Sequence, residues 1–163
     1  MTGKSYADEL SERMFEPLEL SNTYLAGYQE GPEPVGAYEK APGGWAPITY
    51  DYAPIARIAW SAGAIVSNAP DLHTFMTALF TGNLISEEAL IEMTDTGPED
   101  YGLGLLSNSL TPGIYGHDGG IPGYTSLVAY SVDSGRTAFW AATNEEIDFL
   151  PAVFEVLSRL DET

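Results

Sequence analysis

Two extended segments separated by a short polar turn constrain the fold more than any other feature of this chain. Gly123 to Val132 and Thr137 to Thr143 are rich in β-branched, aromatic and small apolar residues, and Asp133-Ser134-Gly135-Arg136 lies between them. A four-residue turn signal between two such runs predicts an antiparallel hairpin. Because Ala138 to Ala142 is apolar at consecutive positions, we predict that the second strand lies inside a sheet covered by helices. Tyr101 to Leu106 is also predicted to be a strand, and its glycines at alternate positions leave one face bare, which permits close backbone approach by a neighbour.

Four further segments have the periodicity of amphipathic helices. They follow the capping residues Ser5, Asn68, Ser86 and Asp148, and the first extends to about Phe15. The residues predicted to face the core are Tyr6, Leu10 and Met14 in the first helix, Leu72, Phe75, Met76 and Leu79 in the second, and Phe149, Val153, Val156, Leu157 and Leu160 in the last. Helices at both ends with strands grouped late predict an α+β fold, an antiparallel sheet flanked by helices.

The region 26–58 has a different composition, because glycine, proline and tyrosine recur throughout it. A long irregular stretch is uncommon in a compact domain unless it forms a lid or binding wall, contains short strands, or is a surface excursion held by its aromatic residues. The sequence leaves these alternatives open. A chain of 163 residues is long enough for one domain, and we predict a single domain over 1–163.

The charge of the chain excludes several classes of partner and chemistry. Six basic residues against 24 acidic residues give a formal net charge of −18, which repels the phosphates of nucleic acids and of anionic lipids. We therefore predict no nucleic acid partner. No apolar run approaches the roughly 20 residues that span a bilayer, so we predict no membrane span. The absence of cysteine excludes disulfides and thiolate catalysis.

Gly116 to Ser126 is the stretch with the strongest chemical signal. It places His117 within three residues of Gly119 and Gly120, directly before the first predicted strand of the hairpin. An imidazole beside bare backbone allows a ligand to reach both. Taken alone, however, the motif favours a plain turn with a solvated histidine.

Several other segments lie in the order and at the spacing of one family. They are the helix Tyr6 to Leu10 ending at Phe15-Glu16-Pro17-Leu18, the stretch Ser61 to Ser67 leading into Asp71-Leu72, the stretch Tyr101 to Leu105, and the strand ending at Ala142-Thr143-Asn144. Together with His117-Asp118-Gly119, they resemble the serine β-lactamase and penicillin-binding-protein family, which includes D-alanyl-D-alanine carboxypeptidases, class C β-lactamases and esterases. In that family Lys-Thr-Gly or His-x-Gly opens an inner strand of the sheet. The resemblance covers nearly the whole chain and implies the C-terminal part of that fold.

Two motifs of the family are missing from the sequence. Lys4 and Lys40 are the only lysines and neither has a serine three residues before it, so the nucleophile motif Ser-x-x-Lys is absent. No Tyr-x-Asn or Ser-x-Asn occurs either. In relatives these motifs precede the helix that begins here near Ser5. We therefore expect this chain to be the C-terminal half of a longer enzyme, which hydrolyses an amide or ester through an acyl-serine intermediate, and to be inactive alone.

The resemblance also implies roles for individual residues. His117 replaces the lysine of the motif beside the cleft, and the backbone N–H of Gly120 supplies one oxyanion donor. Asp118, Gly119 and Tyr124 are expected to contact the substrate, a small amide or ester. A carboxylate at Asp118 would repel a substrate carboxylate unless its side chain points away. The resemblance implies no cofactor and no metal.

The sequence offers less support for two other catalytic chemistries, and it leaves one alternative function open. A Ser-His-Asp triad would need His117 or His73, but His73 lies off the apolar stripe of its helix and no Gly-x-Ser-x-Gly motif occurs. A zinc site lacks a His-Glu-x-x-His or comparable cluster. The alternative function is a non-catalytic module that binds a peptide or self-associates, because loss of the strands that the family's N-terminal segment supplies would leave an unpaired sheet edge.

Overall fold

The computed structural model describes residues 2–49, 51–107, 112–144, 155 and 158–160. The chain divides into two compact units, Met1–Phe75 and Met76–Thr163. The single domain over 1–163 stays a prediction. No helix among the described residues is long and apolar enough to cross a bilayer.

The first unit begins with the predicted helix. Helix α1 spans Tyr6–Leu10 and continues as a π-helical turn over Ser11–Phe15. The Ser5 hydroxyl accepts from the Asp8 backbone N–H at 3.1 Å, and the Asp8 carboxylate accepts from the Ser5 backbone N–H at 3.3 Å. This reciprocal capping box satisfies two donors that a helix start otherwise leaves open. The predicted inward face is confirmed, since Leu10 is buried in the core and Tyr6 and Met14 pack against it.

The region 26–58 contains regular structure. Strands β2 (Tyr38–Ala41) and β3 (Gly44–Pro47) form an antiparallel hairpin, and helix α2 (Ala53–Ala59) follows before a 3₁₀ turn at Trp60–Ala62. Gly43 has φ of 97°, which permits the tight connection between the strands. Short strands were one of the alternatives that the sequence left open.

The core of the first unit joins segments distant in the chain. Its buried residues are Leu10, Phe15, Leu20, Leu25, Ala56 and Ala64. Strand β1 (Tyr24–Leu25) pairs with β4 (Ile65–Val66) in an antiparallel register. The Asp71 side chain is only 7% exposed and accepts from the Asn22 backbone N–H at 2.9 Å and the Thr23 hydroxyl at 2.8 Å.

Helix α3 (Ala69–Phe80) is the predicted second helix and crosses the division between the units. The Asn68 side chain accepts from the Asp71 backbone N–H at 2.9 Å, which confirms the predicted cap. Met76 and Leu79 are buried, and His73 is exposed as predicted. Helix α4 (Glu87–Thr94) is also confirmed, because the Ser86 hydroxyl accepts from the Ala89 backbone N–H.

The second unit is built on a three-stranded antiparallel sheet. Strands β5 (Ile114–Ile121), β6 (Tyr124–Ser131) and β7 (Thr137–Ala142) lie in the order β5-β6-β7, which confirms the predicted hairpin. On one face Ile114 and Ala129 form a cluster with the helical residue Leu160, and Ala138 packs against it. On the other face Phe80 stacks on Tyr130 with ring centroids 4.7 Å apart. Helical residues therefore contact both faces, and the mixed helix and antiparallel-sheet class is confirmed.

Two sequence predictions are wrong, and most of a third lies outside the described residues. Strand β7 is the outermost strand of the described sheet, with Phe139 38% exposed, because apolarity on both faces does not distinguish an edge strand from an inner one. Tyr101 to Leu106 is not a strand but a tight turn closed by an isolated bridge between its ends, in which Gly104 has φ of 78°. Of the last predicted helix, Asp148, Phe149, Val153, Val156 and Leu157 lie outside the described residues, while Leu160 is buried.

Candidate functional site

Strand β5 carries four of the five predicted site residues. His117, Asp118, Gly119 and Gly120 are consecutive within Ile114–Ile121 and pair with β6 without interruption. The turn favoured by the local motif is therefore wrong. The chain reverses two residues later at Pro122-Gly123, where Gly123 has φ of 83°. Proline followed by a glycine of positive φ is the composition that a type II turn requires.

The side chains of His117 and Asp118 leave opposite faces of the sheet. His117 lies opposite Val128, and Asp118 lies opposite the buried Leu127. Because side chains alternate along a strand, Gly119 shares the His117 face and Gly120 shares the Asp118 face. Tyr124 lies opposite Ile121 and is thus on the His117 face. The structure therefore brings His117, Gly119 and Tyr124 to one face and separates the Asp118 carboxylate from them.

The backbone of β5 presents alternate N–H groups to its outer edge. The Gly116 N–H donates to the Leu106 carbonyl at 3.0 Å, and the Leu106 N–H donates to the Gly116 carbonyl at 2.7 Å. Both polar groups of Gly116 thus point away from β6. Since this direction alternates along an antiparallel strand, the N–H groups of Asp118 and Gly120 point to the same outer edge. A β-carbon at Gly120 would meet no atom within 4 Å.

Gly116 allows β5, the strand that carries His117, to lie close to β6. A β-carbon at Gly116 would lie 2.1 Å from the Val128 carbonyl oxygen and 3.0 Å from Ala129 Cα. Any larger residue would push β5 away from β6 at the position next to His117. The glycine is therefore required by close backbone approach and not by a turn.

Tyr101 is a site residue that the sequence did not identify. Its hydroxyl lies 3.0 Å from His117 Nε2, and the two rings meet edge to face with centroids 5.7 Å apart. The other ring nitrogen, Nδ1, contacts the backbone carbonyl of Asp118. The stretch Tyr101 to Leu105 is part of the family resemblance, but the sequence predicts a strand there, whereas the turn closed by the Tyr101–Leu106 bridge brings the tyrosine to β5.

The turn that carries Tyr101 is anchored at several points. The Gly102 N–H donates to the Leu105 carbonyl at 2.8 Å, and the Leu103 N–H donates to the Met93 carbonyl at 3.1 Å. A β-carbon at Gly102 would lie 2.3 Å from the Met93 carbonyl oxygen. The prediction that these glycines permit close backbone approach is confirmed at Gly102. Leu106 then joins the turn to Gly116, the residue before His117.

The described residues offer no metal centre. Across 2–49, 51–107 and 112–144, no three histidine, aspartate or glutamate side chains cluster in a way that would hold an ion. The groups that β5 and Tyr101 bring together are an imidazole, a phenol hydroxyl and edge-facing backbone N–H groups.

The chain is similar to a known protein family and to a penicillin-binding protein. A family model described as Beta-lactamase matches residues 1–150. Penicillin-binding protein 4* of Bacillus subtilis (strain 168) is 27% identical over 169 residues, which cover 89% of this chain and 36% of that protein.

The solved structures include two amide-cleaving enzymes by name. A D-stereospecific amidohydrolase from Streptomyces sp. is 32% identical with a TM-score of 0.71, covering 88% of this chain and 45% of that one. The D-amino acid amidase from Ochrobactrum anthropi SV3, complexed with L-phenylalanine amide, is 28% identical with a TM-score of 0.75, covering 98% and 51%. The chain thus spans about half the length of these structures.

Proposed function

The chain belongs to the beta-lactamase family, whose model matches residues 1–150, and from this premise we propose that it is the C-terminal portion of a serine hydrolase. The parent enzyme cleaves an amide or ester through an acyl-serine intermediate. The observation that carries the proposal is the outer edge of β5, where His117 and the outward N–H of Gly120 lie three residues apart on one strand. Such an edge can accept a carbonyl oxygen and hold a polar group beside it.

In this proposal Gly120 supplies one of two oxyanion donors. The developing negative charge on a tetrahedral intermediate is stabilised by preorganised N–H groups at about 2.7–3.1 Å. The second donor would be the amide of the nucleophilic serine itself. No Ser-x-x-Lys occurs in the 163 residues, and in this proposal the nucleophile is supplied by the rest of the parent enzyme.

The substrate-contact residues follow from the two faces of β5. Tyr124 and the bare backbone at Gly119 border the substrate on the His117 face. Asp118 contributes through its backbone, because its side chain leaves the opposite face. This orientation removes the repulsion of a substrate carboxylate by Asp118. The names of two similar structures, an amidohydrolase and an amino acid amidase, favour a small amide as the substrate class.

We expect the chain alone to form no acyl-enzyme. Intact mass spectrometry after incubation with a penicillin, and separately with a fluorophosphonate, should show unchanged mass in a sample with cooperative thermal unfolding. An acyl-serine intermediate would leave a stoichiometric mass increase. Such an adduct would overturn the expected inactivity and would identify a nucleophile within these residues.

A chimera tests the hydrolase itself. The half of the Ochrobactrum anthropi D-amino acid amidase that lies outside the match, its N-terminal half on this proposal, would be fused to this chain in place of the half that the chain resembles. We expect hydrolysis of D-phenylalanine amide by the folded chimera and its loss on His117→Ala, while His73→Ala, at an exposed histidine, serves as the matched control. A folded chimera without activity, or with activity that His117→Ala leaves intact, contradicts the proposal.

A second candidate function is a binding or oligomerisation module, and the position of β7 favours it. The strand is outermost in the described sheet, and its sequence Thr-Ala-Phe-Trp-Ala-Ala contains no charge and no proline. The edge strands of monomeric proteins usually carry a lysine, a proline or a bulge that prevents pairing with another chain. This edge would accept a strand from the missing N-terminal half or from a second copy of the chain.

A further inference from the structure

The two contacts of the His117 ring determine where its proton lies in the neutral state. A backbone carbonyl can only accept a hydrogen bond, so the Nδ1 atom beside the Asp118 carbonyl must carry the proton and donate. Neutral imidazole has one donor and one acceptor nitrogen. Nε2 is then the acceptor, and the Tyr101 hydroxyl at 3.0 Å is its donor.

We propose that Tyr101 is a positioning residue that fixes the orientation of the neutral His117 ring by donating its hydroxyl to Nε2, while the Asp118 carbonyl sets the Nδ1–H tautomer. The tyrosine ring also packs edge to face on the imidazole, so that ring rotation would break both the hydrogen bond and the aromatic contact. Other hydrogen-bonding side chains that contact Nε2 are not present among the described residues. Tyr101 therefore fixes the orientation of the ring, and the Asp118 carbonyl fixes its tautomer.

The tyrosine is itself well placed for this task. Its own N–H donates to the Thr96 carbonyl at 3.2 Å, and the bridge from Tyr101 to Leu106 continues from Leu106 to Gly116. The backbone of the turn is thus connected to the strand that carries His117 through one intermediate residue. Because the side chain is 48% exposed, the hydroxyl can be removed without opening a buried cavity.

This tautomer has a consequence that rests on the proposed function. With its hydrogen given to Nε2, the Tyr101 oxygen keeps an acceptor lone pair for a ligand, whereas the imidazole N–H is already used by the Asp118 carbonyl. The neutral pair therefore offers an acceptor and no free donor. It suits the N–H of an amide or amino group better than a carboxylate.

Two-bond ¹H–¹⁵N correlation spectra of the ¹⁵N-labelled chain test the tautomer directly. The sequence has only two histidines, and His73→Gln assigns the signals. At a pH where the imidazoles are neutral, we expect the His117 Nδ1 to resonate as protonated and Nε2 as unprotonated. In Tyr101→Phe, which keeps the ring but removes the donor, we expect the Nδ1–H form to be retained and the His117 Nε2 resonance to move downfield as it loses its hydrogen bond, while His73 is unchanged.

Two results would overturn the proposal: an Nε2–H tautomer of His117 in the unsubstituted chain, or a Tyr101→Phe spectrum in which the His117 Nε2 resonance does not move. The first can be read without any variant, so the test does not depend on how Tyr101→Phe folds. Neither measurement requires a nucleophile or turnover. An inactive chimera combined with the expected tautomer would therefore contradict only the hydrolase assignment and leave the role of Tyr101 standing.

Discussion

Gly116 and Val128 approach so closely that a β-carbon on the glycine would lie 2.1 Å from the valine carbonyl oxygen. Gly116→Ala must therefore separate β5 from β6, and overpacking of this kind costs about 1–3 kcal/mol of unfolding free energy. Gly120→Ala is the matched control on the same strand, because a β-carbon there meets nothing within 4 Å. Urea denaturation followed by circular dichroism compares them. Equal midpoints for the two variants would contradict the predicted clash.

Asp71 gives a second test of stability, in the first unit. Its carboxylate accepts from the Asn22 N–H and the Thr23 hydroxyl while almost fully buried. Asp71→Ala leaves these donors without their acceptor and is expected to lower the unfolding free energy by about 1–3 kcal/mol. Asp71→Asn keeps one acceptor oxygen and should cost less.

The exposed Glu92→Ala provides the control for Asp71, since it removes a carboxylate from a helix without removing a buried partner. Thermal unfolding of the three variants gives the comparison. If Asp71→Ala and Glu92→Ala have the same melting temperature, the hydrogen bonds from Asn22 and Thr23 add nothing to stability.

The contrast between these sites explains how much the sequence could predict. The caps at Ser5, Asn68 and Ser86 were found because a cap and its partner lie within three residues, where local hydrogen bonding dominates. The β6–β7 hairpin was found for the same reason. The Asp71 contacts were missed because Asn22 and Thr23 lie 49 and 48 residues away. No local pattern encodes such a pairing.

The candidate site was predictable only in part, for a related reason. His117 and Gly120 could be predicted as site residues because their motif lies within one strand. The pairing of Tyr101 with His117 could not, because it depends on a turn where the sequence predicts a strand. Glycines at alternate positions are compatible with a strand and with a turn. The close approach of Gly102 to the Met93 carbonyl, which distinguishes the two, cannot be read from the sequence. The edge position of β7 was hidden because apolar edge and inner strands have the same composition.

Self-association through β7 is the third prediction, and it tests the alternative function. If the edge pairs two copies, Phe139→Lys should shift the chain toward monomer in sedimentation velocity, because gatekeeper lysines prevent edge-to-edge pairing. Val132→Lys is the control, since Val132 is 48% exposed but lies beyond β6 in the turn. A chain that is monomeric at high concentration before any substitution contradicts the module hypothesis.

The last prediction tests the backbone N–H of Gly120 separately from the addition of a side chain at that position. In the chimera with the amidase N-terminal half, Gly120→Pro removes the outward N–H, whereas Gly120→Ala retains it. Proline is tolerated at strand positions whose N–H faces an edge, and Gly120 has no atom within 4 Å of an added β-carbon. Loss of one oxyanion donor typically lowers kcat about 10²–10³-fold. We therefore expect Gly120→Pro to lower kcat for D-phenylalanine amide by that factor with KM little changed, and Gly120→Ala to retain most of the rate. Equal kcat in the two variants, both folded by circular dichroism, would mean that this N–H does not bind the oxyanion and that the donor must come from another residue at the edge of β5.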